Sequence, residues 1–428
     1  MMKTISIFLC FFICVGCKTS GYAQQSFKAA TNIGSAKLYK FGDQTSFPAI
    51  NLNSADGLQL DFDDFDNRVK NYYYTFQLCN ADWLPSILHS FEYIKGFQNV
   101  RITTYRNSSI ATTRYIHYTA AVPDRNCQPS RSGNYLLKVF LDNDTSKLAF
   151  TKRFVVINNQ AEVAAQIQQP YNAQFYRSFQ KLMINVKTDS RINLLSPSDL
   201  KVVVLQNNNW QTALYFDRPT INRGNFFEYS DEAITAMPAG KEFRWIDLRS
   251  LRLLSDRVQK MEVVRDTQHV YVKPDPSRTA HSYIYYRDIN GAYIIETMES
   301  INPFWQGDYA YVHFTFVPPA EREFKGNDVY IFGELTDYGK DSSAKMKFNP
   351  ENGAYEKTLF IKQGFYNYAY VTKPANGKGF PDFSQTEGDH WTTENAYTVL
   401  VYYRPFGARA DELIGGASLN SAFQRSGF

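Results

Sequence analysis

The chain has 428 residues, 46 basic and 42 acidic with a formal net charge of +4, and 16% of it is aromatic, with 33 Phe and 30 Tyr against 7 Met. At roughly 100–200 residues per domain, that length holds two to four separately cored units and excludes one monolithic fold. Interspersed charges exclude the single-sign field that nucleic acid demands, and this wealth of Phe and Tyr favours pleated, half-buried surfaces. The predicted class is all-β, built as three tandem β-sandwich modules.

The first residues have the pattern of an export signal. Lys3 gives a positive start, Ile5 to Val15 an apolar stretch too short to span a bilayer, and small residues follow, so residues 1–23 are expected to be a signal peptide. Two cleavage patterns compete. Gly16-Cys17 resembles a lipobox, after which Cys17 is the lipidation site; Gly21-Tyr22-Ala23 is a small-x-small exit that leaves Gln24 as the first residue. Either way Cys79 and Cys127 remain in the body. In an oxidising compartment they are a candidate disulfide or two buried thiols. A metal or redox centre needs further ligands or a Cys-x-x-Cys spacing, and neither is present.

Residues 24–160 are expected to form the first sandwich. Strand signals recur at Leu58 to Phe62, Tyr72 to Leu78, Tyr115 to Ala121, Tyr135 to Leu141 and Phe154 to Ile157, with Ser132-Gly133-Asn134 as a turn. In Asn71 to Trp83 (NYYYTFQLCNADW), Tyr72, Tyr74 and Phe76 share one face of a period-two pattern. The Asn80-Ala81-Asp82 corner then delivers Trp83, a ring large enough to close the end of the core. Asp61, Asp63, Asp64 and Asp66 crowd the segment LDFDDFDN. Calcium prefers such oxygen ligands, but the loop glycine and the distal Glu are missing, so the expectation is a solvated strand end with Phe62 and Phe65 facing inward.

Residues 161–304 are expected to form a second β domain, with strands at Leu182 to Val186, Lys201 to Leu205, Phe243 to Asp247 and Val258 to Val264, an Asn207-Asn208-Asn209 turn, and a short helix or strand at Leu248 to Leu254. Residues 305–405 follow as a third sandwich, with strands at Tyr309 to Phe316, Val329 to Phe332, Tyr355 to Ile361, Tyr366 to Val371 and Tyr397 to Tyr403. Residues 406–428 lack periodicity and are expected to be an extended C-terminal tail.

Chemistry-bearing motifs are mostly missing. No nucleophile elbow, phosphate-binding glycine loop or His-Glu-x-x-His occurs, and the six histidines (His89, His117, His269, His281, His313, His390) lie far apart in sequence. No catalytic residue, metal, cofactor or small-molecule substrate is assigned. In the third unit, VYIFGELTDY and GFYNYAYV resemble the early-set or glycogen-binding sandwich, which makes Tyr338 and Trp391 a candidate glycan platform. The corresponding function is a glycan-binding surface lipoprotein of a polysaccharide-use system.

Several longer stretches together resemble one family: Phe62-Asp63-Asp64 leading to Val69-Lys70-Asn71-Tyr72-Tyr73-Tyr74, Cys79-Asn80-Ala81-Asp82-Trp83, Ser132 to Val139, Phe243 to Arg252, Asp288-Ile289-Asn290-Gly291, Phe332 to Asp337 and Val401 to Pro405. They look like the plug protein family of the type IX secretion system of Bacteroidota, over about Leu38 to Gly415. That resemblance implies a non-enzymatic protein in the periplasm, associated with the outer membrane. There it caps the periplasmic mouth of the outer-membrane β-barrel translocon and blocks the pore while no cargo passes.

Overall fold

The structure is a computed structural model that describes residues 30–190, 192–376 and 379–423. The expected signal peptide, both cleavage sites and Cys17 lie outside the described residues. Strands dominate throughout, so the chain is all-β as its composition requires. Among the described residues no helix is long and apolar enough to cross a membrane.

In the amino-terminal part, period-two alternation sorts side chains between two sheets. One sheet runs Ile33–Lys40, Leu58–Asp64, Ile116–Val122, Thr104–Asn107; the other runs Ala49–Asn51, Leu148–Ile157, Gly133–Leu141, Tyr72–Cys79, Val100–Arg101. Leu58, Leu60 and Phe62 from the first meet Tyr72, Tyr74, Phe76, Tyr135 and Phe154 from the second in one core. Phe62 is its centre, edge-on to Tyr72 at 5.0 Å, stacked with Tyr118 at 5.1 Å and edge-on to Phe150 at 5.0 Å. Aromatic pairs at such spacings add to the area they bury.

The second core joins distant parts of the chain. One of its sheets contains Ala161–Gln168, Phe179–Thr188, Phe226–Tyr229 and Ile221–Arg223; the other runs Asn209–Phe216, Leu200–Gln206, Ala396–Tyr403, Glu412–Asn420. Val202 pairs with Val401 and Leu400 with Gly416, all antiparallel. Between residues 238 and 396 the chain leaves this sandwich to build the third. There Arg244–Asp247, Gly364–Pro374, Tyr293–Ile295 and Asn327–Phe332 lie across a core from Val258–Val264, Thr267–Val272, Tyr309–Val317, Ala354–Lys362 and Lys347–Asn349.

Three expectations need correction. Arg244–Asp247 and Val258–Val264 are strands, but of the third core, while Ala396–Tyr403 belongs to the second. Periodicity reports that a strand has a buried face and carries no information about which distant strand will pair with it. The tail is not a free arm either, because Glu412–Asn420 is a strand whose Ile414 and Leu419 enter the second core. Gly415 and Gly416 interrupt its alternation, and both sit against other chain segments: a Cβ on Gly415 meets Ala161 O at 2.8 Å. Leu248 to Leu254 forms bends and no helix; the Ser250 hydroxyl accepts from the amides of Arg252 and Leu253 at 3.1 Å each and competes with helical bonding.

Truncation after Pro405 tests this arrangement. Losing Leu413, Ile414 and Leu419, at about 1.5–3 kcal/mol per buried apolar side chain, is expected to unfold the second sandwich and to open its linkers to limited proteolysis. Loss of a true arm leaves the proteolytic pattern unchanged.

Candidate functional site

The outer faces of these strands, which alternation alone assigns to solvent, meet one another. Asp61 and Asp63 point away from the first core, as strand geometry demands, yet Asp63 is fully buried because the third sandwich covers it. Its carboxylate accepts from Lys362 Nζ at 2.5 Å and Tyr309 Oη at 2.6 Å, both from the third sandwich, and contacts His117 Nδ1 at 2.8 Å. Lys362 also donates to Phe304 O at 2.5 Å and sits over the Tyr115 ring at 4.2 Å. Tyr39 donates to Asp61 at 2.5 Å, and His117 Nε2 lies 3.2 Å from the other Asp61 oxygen, near enough to attract but without hydrogen-bond alignment.

A second tie runs alongside. Lys37 Nζ donates to Tyr293 O at 2.5 Å and to Glu334 at 2.7 Å, while the Gln44 amide exchanges two hydrogen bonds with the backbone of Ile295. Asp308 accepts from the amides of Thr112 and Thr113, and Tyr115 donates to Gly307 O at 2.6 Å. The expected solvated strand end is therefore a buried polar joint. Phe65 faces inward as expected, but onto Tyr309 at 4.9 Å and Phe360 at 5.6 Å of the third sandwich.

Burial drives the electrostatics here. It pushes the Asp63 carboxyl up, but Lys362 and His117 outweigh it and hold the group below its ordinary range. Burial likewise pulls His117 down, and its contacts with Asp61 and Asp63 reverse that to a net rise. For Lys362 burial wins over Asp63, leaving the ammonium below its ordinary value.

The joint between the first and second sandwiches grows from the Asn80-Ala81-Asp82 corner. Asp411 accepts from the Ala81 amide at 2.9 Å and from Arg404 Nε at 2.7 Å, while Arg404 reaches Asn80 Oδ1 at 2.8 Å. Tyr402 donates to Asn134 Oδ1 at 2.6 Å, and the Asn134 amide group donates to Asn80 O at 3.0 Å. Gly133 is needed beside it: φ is +141° there, and a Cβ lands 3.3 Å from Asp411 O. Trp83 does not close the first core. With φ at 64°, it turns outward to meet Trp210 of the second sandwich edge-on at 4.8 Å, with the Arg153 guanidinium 4.5 Å from its ring.

Within the third sandwich an ionic hub fixes the loop before the returning strand. Arg244 grips Glu387 with Nε and Nη2, both at 3.0 Å, and reaches Asp275 at 2.9 Å. Arg278 adds a contact to Glu387 at 2.5 Å. Burial pushes Glu387 up, but the two guanidinium groups overcome it and bring the carboxyl down to about 2.

Cys79 and Cys127 are free, buried thiols, so the disulfide alternative does not hold; burial pushes both up to about 12 and leaves them protonated and unreactive. Tyr338 is only 8% exposed, packed with Phe243 and Phe332, and donates to Asn207 O at 2.6 Å across the joint of the second and third sandwiches. A ring so covered offers no face for a sugar. Trp391 is half-buried, with its amide on Arg177 O at 2.9 Å and its carbonyl accepting from Gln180 at 2.8 Å. Sequence reasoning missed Lys362, Tyr309 and His117. A visible signal existed in the outward face of Leu58–Asp64, where Asp61 and Asp63 stand with no cation on the same strand.

What these joints define is a class: an all-β body of several sandwiches held together by buried polar ties. Residues 33–158, the span of the first sandwich, match the family model described as type 9 secretion system plug protein 1st domain. The first sandwich is thus matched to the first domain of the type IX secretion system plug family, in agreement with the sequence motifs it carries. The whole fold is similar to the crystal structure of a hypothetical protein from Parabacteroides merdae ATCC 43184 at 2.30 Å resolution, with a TM-score of 0.88 and 29% identity over 92% of this chain and 98% of that one. A biofilm associated protein B domain aligns at a TM-score of 0.15 and 8% identity and carries no argument. Among curated proteins nothing matches.

Two outcomes follow from the charges. Lys362→Met strands Asp63 without its cation and is expected to cost about 3–5 kcal/mol in urea denaturation, part of which Asp63→Leu in the same chain restores. Because Glu387 is held low, its contribution is present above its ordinary value of 4.5 and is lost as pH falls toward about 2. That contribution is about 3 kcal/mol, so Glu387→Gln lowers the neutral-pH midpoint and flattens the acid limb of stability between those values.

Proposed function

We propose that this chain is a non-enzymatic component of the type IX secretion system that caps the periplasmic mouth of the outer-membrane translocon barrel and blocks its pore while no cargo passes. The match of residues 33–158 to the plug family carries the reading. The physical design supports it. A barrel wide enough for folded cargo leaks small solutes unless its mouth is covered by something stiff that can let go again. Three sandwiches tied by a buried ion pair and by buried hydrogen bonds resist bending, and the force of a lid then falls on its contact surface and not on its joints.

Exposed side chains for such a contact are present on loops and on the short 3-10 helix Ser90–Glu92: Ile87, Phe91, Phe97 and Phe406 are each more than two-thirds solvent-exposed. Apolar groups displayed this way favour association with a partner surface. The location that goes with this reading is the periplasm, at the outer membrane. The glycan-binding alternative has no observation in its favour, since the Tyr338 ring is covered on the inside of a joint.

Deleting the chain in a strain with an intact translocon is expected to raise outer-membrane permeability to a small, normally excluded antibiotic, and mild detergent extraction is expected to bring the chain down with a large barrel. Unchanged permeability together with no barrel in the extract overturns the proposal.

A further inference from the structure

Two of the six histidines, remote in sequence, come together on the outer face of the third sandwich. His269 lies on Thr267–Val272 and His313 on Tyr309–Val317, neighbouring parallel strands in which His269 pairs with Tyr311 and Tyr271 with His313. Val270, Val312 and Phe314 take the core face, so both imidazoles stand on the outside. His269 Nδ1 is 2.9 Å from His313 Nε2. The far nitrogens are also engaged, His269 Nε2 with Thr267 Oγ1 at 3.2 Å and His313 Nδ1 with Thr358 Oγ1 at 2.9 Å. Tyr311 stacks on His269 at 5.2 Å and Tyr271 on His313 at 4.3 Å, which holds the rings upright.

We propose that His269 and His313 form a two-imidazole chelate for a divalent transition-metal ion of the copper or nickel class. Metal–nitrogen bonds of about 2.0–2.1 Å place two ligands about 2.9 Å apart when they subtend a right angle, and about 3.4 Å apart at the tetrahedral angle. The hydrogen bond between the two rings already holds these nitrogens 2.9 Å apart, the span that two right-angle bonds to tetragonal copper(II) or nickel(II) require once the shared hydrogen has left the gap. Metal binding takes the neutral imidazole, with a lone pair on the coordinating nitrogen. No proton has to leave. The hydrogen between the rings moves to the far nitrogen of its own imidazole, where a threonine hydroxyl accepts it and fixes the ligand's orientation. Glu262 lies opposite His269 in register, where Tyr271 Oη donates to it at 2.8 Å and Lys260 Nζ pairs with it at 2.5 Å. Among the described residues no group of three or more His, Cys, Asp or Glu is arranged to hold a metal, so the remaining coordination positions face water or a partner's side chain.

Copper(II) titration of the tag-free mature protein, followed by electron paramagnetic resonance, is expected to show one tetragonal ion with coupling to two nitrogens. His269→Gln and His313→Gln are each expected to weaken binding by at least about tenfold. Absence of two-nitrogen coupling, or equal affinity in a folded His313→Gln protein, overturns the site. If either variant fails to fold, the wild type still decides: among the six histidine resonances, copper(II) must broaden His269 and His313 first, and earlier broadening elsewhere rejects the assignment.

Discussion

The contact between Asp63 and Lys362 is the constraint that organises the molecule. Each charge sits inside a region where water is excluded, and each is tolerated only because the other is within 2.5 Å. An apolar pair of the same volume would hold two sheets together about as well but at many angles. The charged pair, with Tyr309 and His117 completing the acceptor, permits one. Its value to the fold therefore lies in orientation more than in adhesion, and the Lys37 contacts a short distance away remove the remaining freedom to rotate.

The same logic accounts for the abundance of tyrosine. Tyr309, Tyr115, Tyr402 and Tyr338 each place an aromatic body in a packed layer and send a hydroxyl across a joint to a partner in another sandwich. Phenylalanine at these positions would fill the layer but take one hydrogen bond away from the opposite carboxylate, carbonyl or amide oxygen. Sandwiches joined by many such single bonds behave as one piece, because no joint opens without exposing several buried polar groups at once.

Much of this was legible in the sequence where a property is local. Strand existence at Leu58–Asp64, Tyr72–Cys79, Gly133–Leu141 and Tyr309–Val317 follows from alternation, and the Asn207-Asn208 turn from the tolerance of asparagine for positive φ, found here at 52° and 59°. What stayed hidden is pairing at long range. Ala396–Tyr403 has an alternation equally suited to either neighbouring core, and only the register of Val401 against Val202 settles it. The carboxylates of LDFDDFDN were misjudged for a related reason: a strand's second face is polar both when it meets water and when it meets a polar joint. Trp83 was seen as a core ring, whereas its left-handed backbone aims it at Trp210.

One feature of the chain's course reaches beyond the finished structure. The second sandwich takes its sheet from Leu200–Gln206 and from Ala396–Tyr403 with Glu412–Asn420, so the whole third sandwich is an insertion within it. A chain emerging amino end first can close its first sandwich early and its third soon after. Leu200–Gln206 meanwhile waits with an unpaired, apolar edge until the last few dozen residues arrive, and an edge of that kind invites pairing with any other chain nearby. Ala396–Tyr403 acts as the latch of assembly: until it is in place, the protein carries its own aggregation hazard.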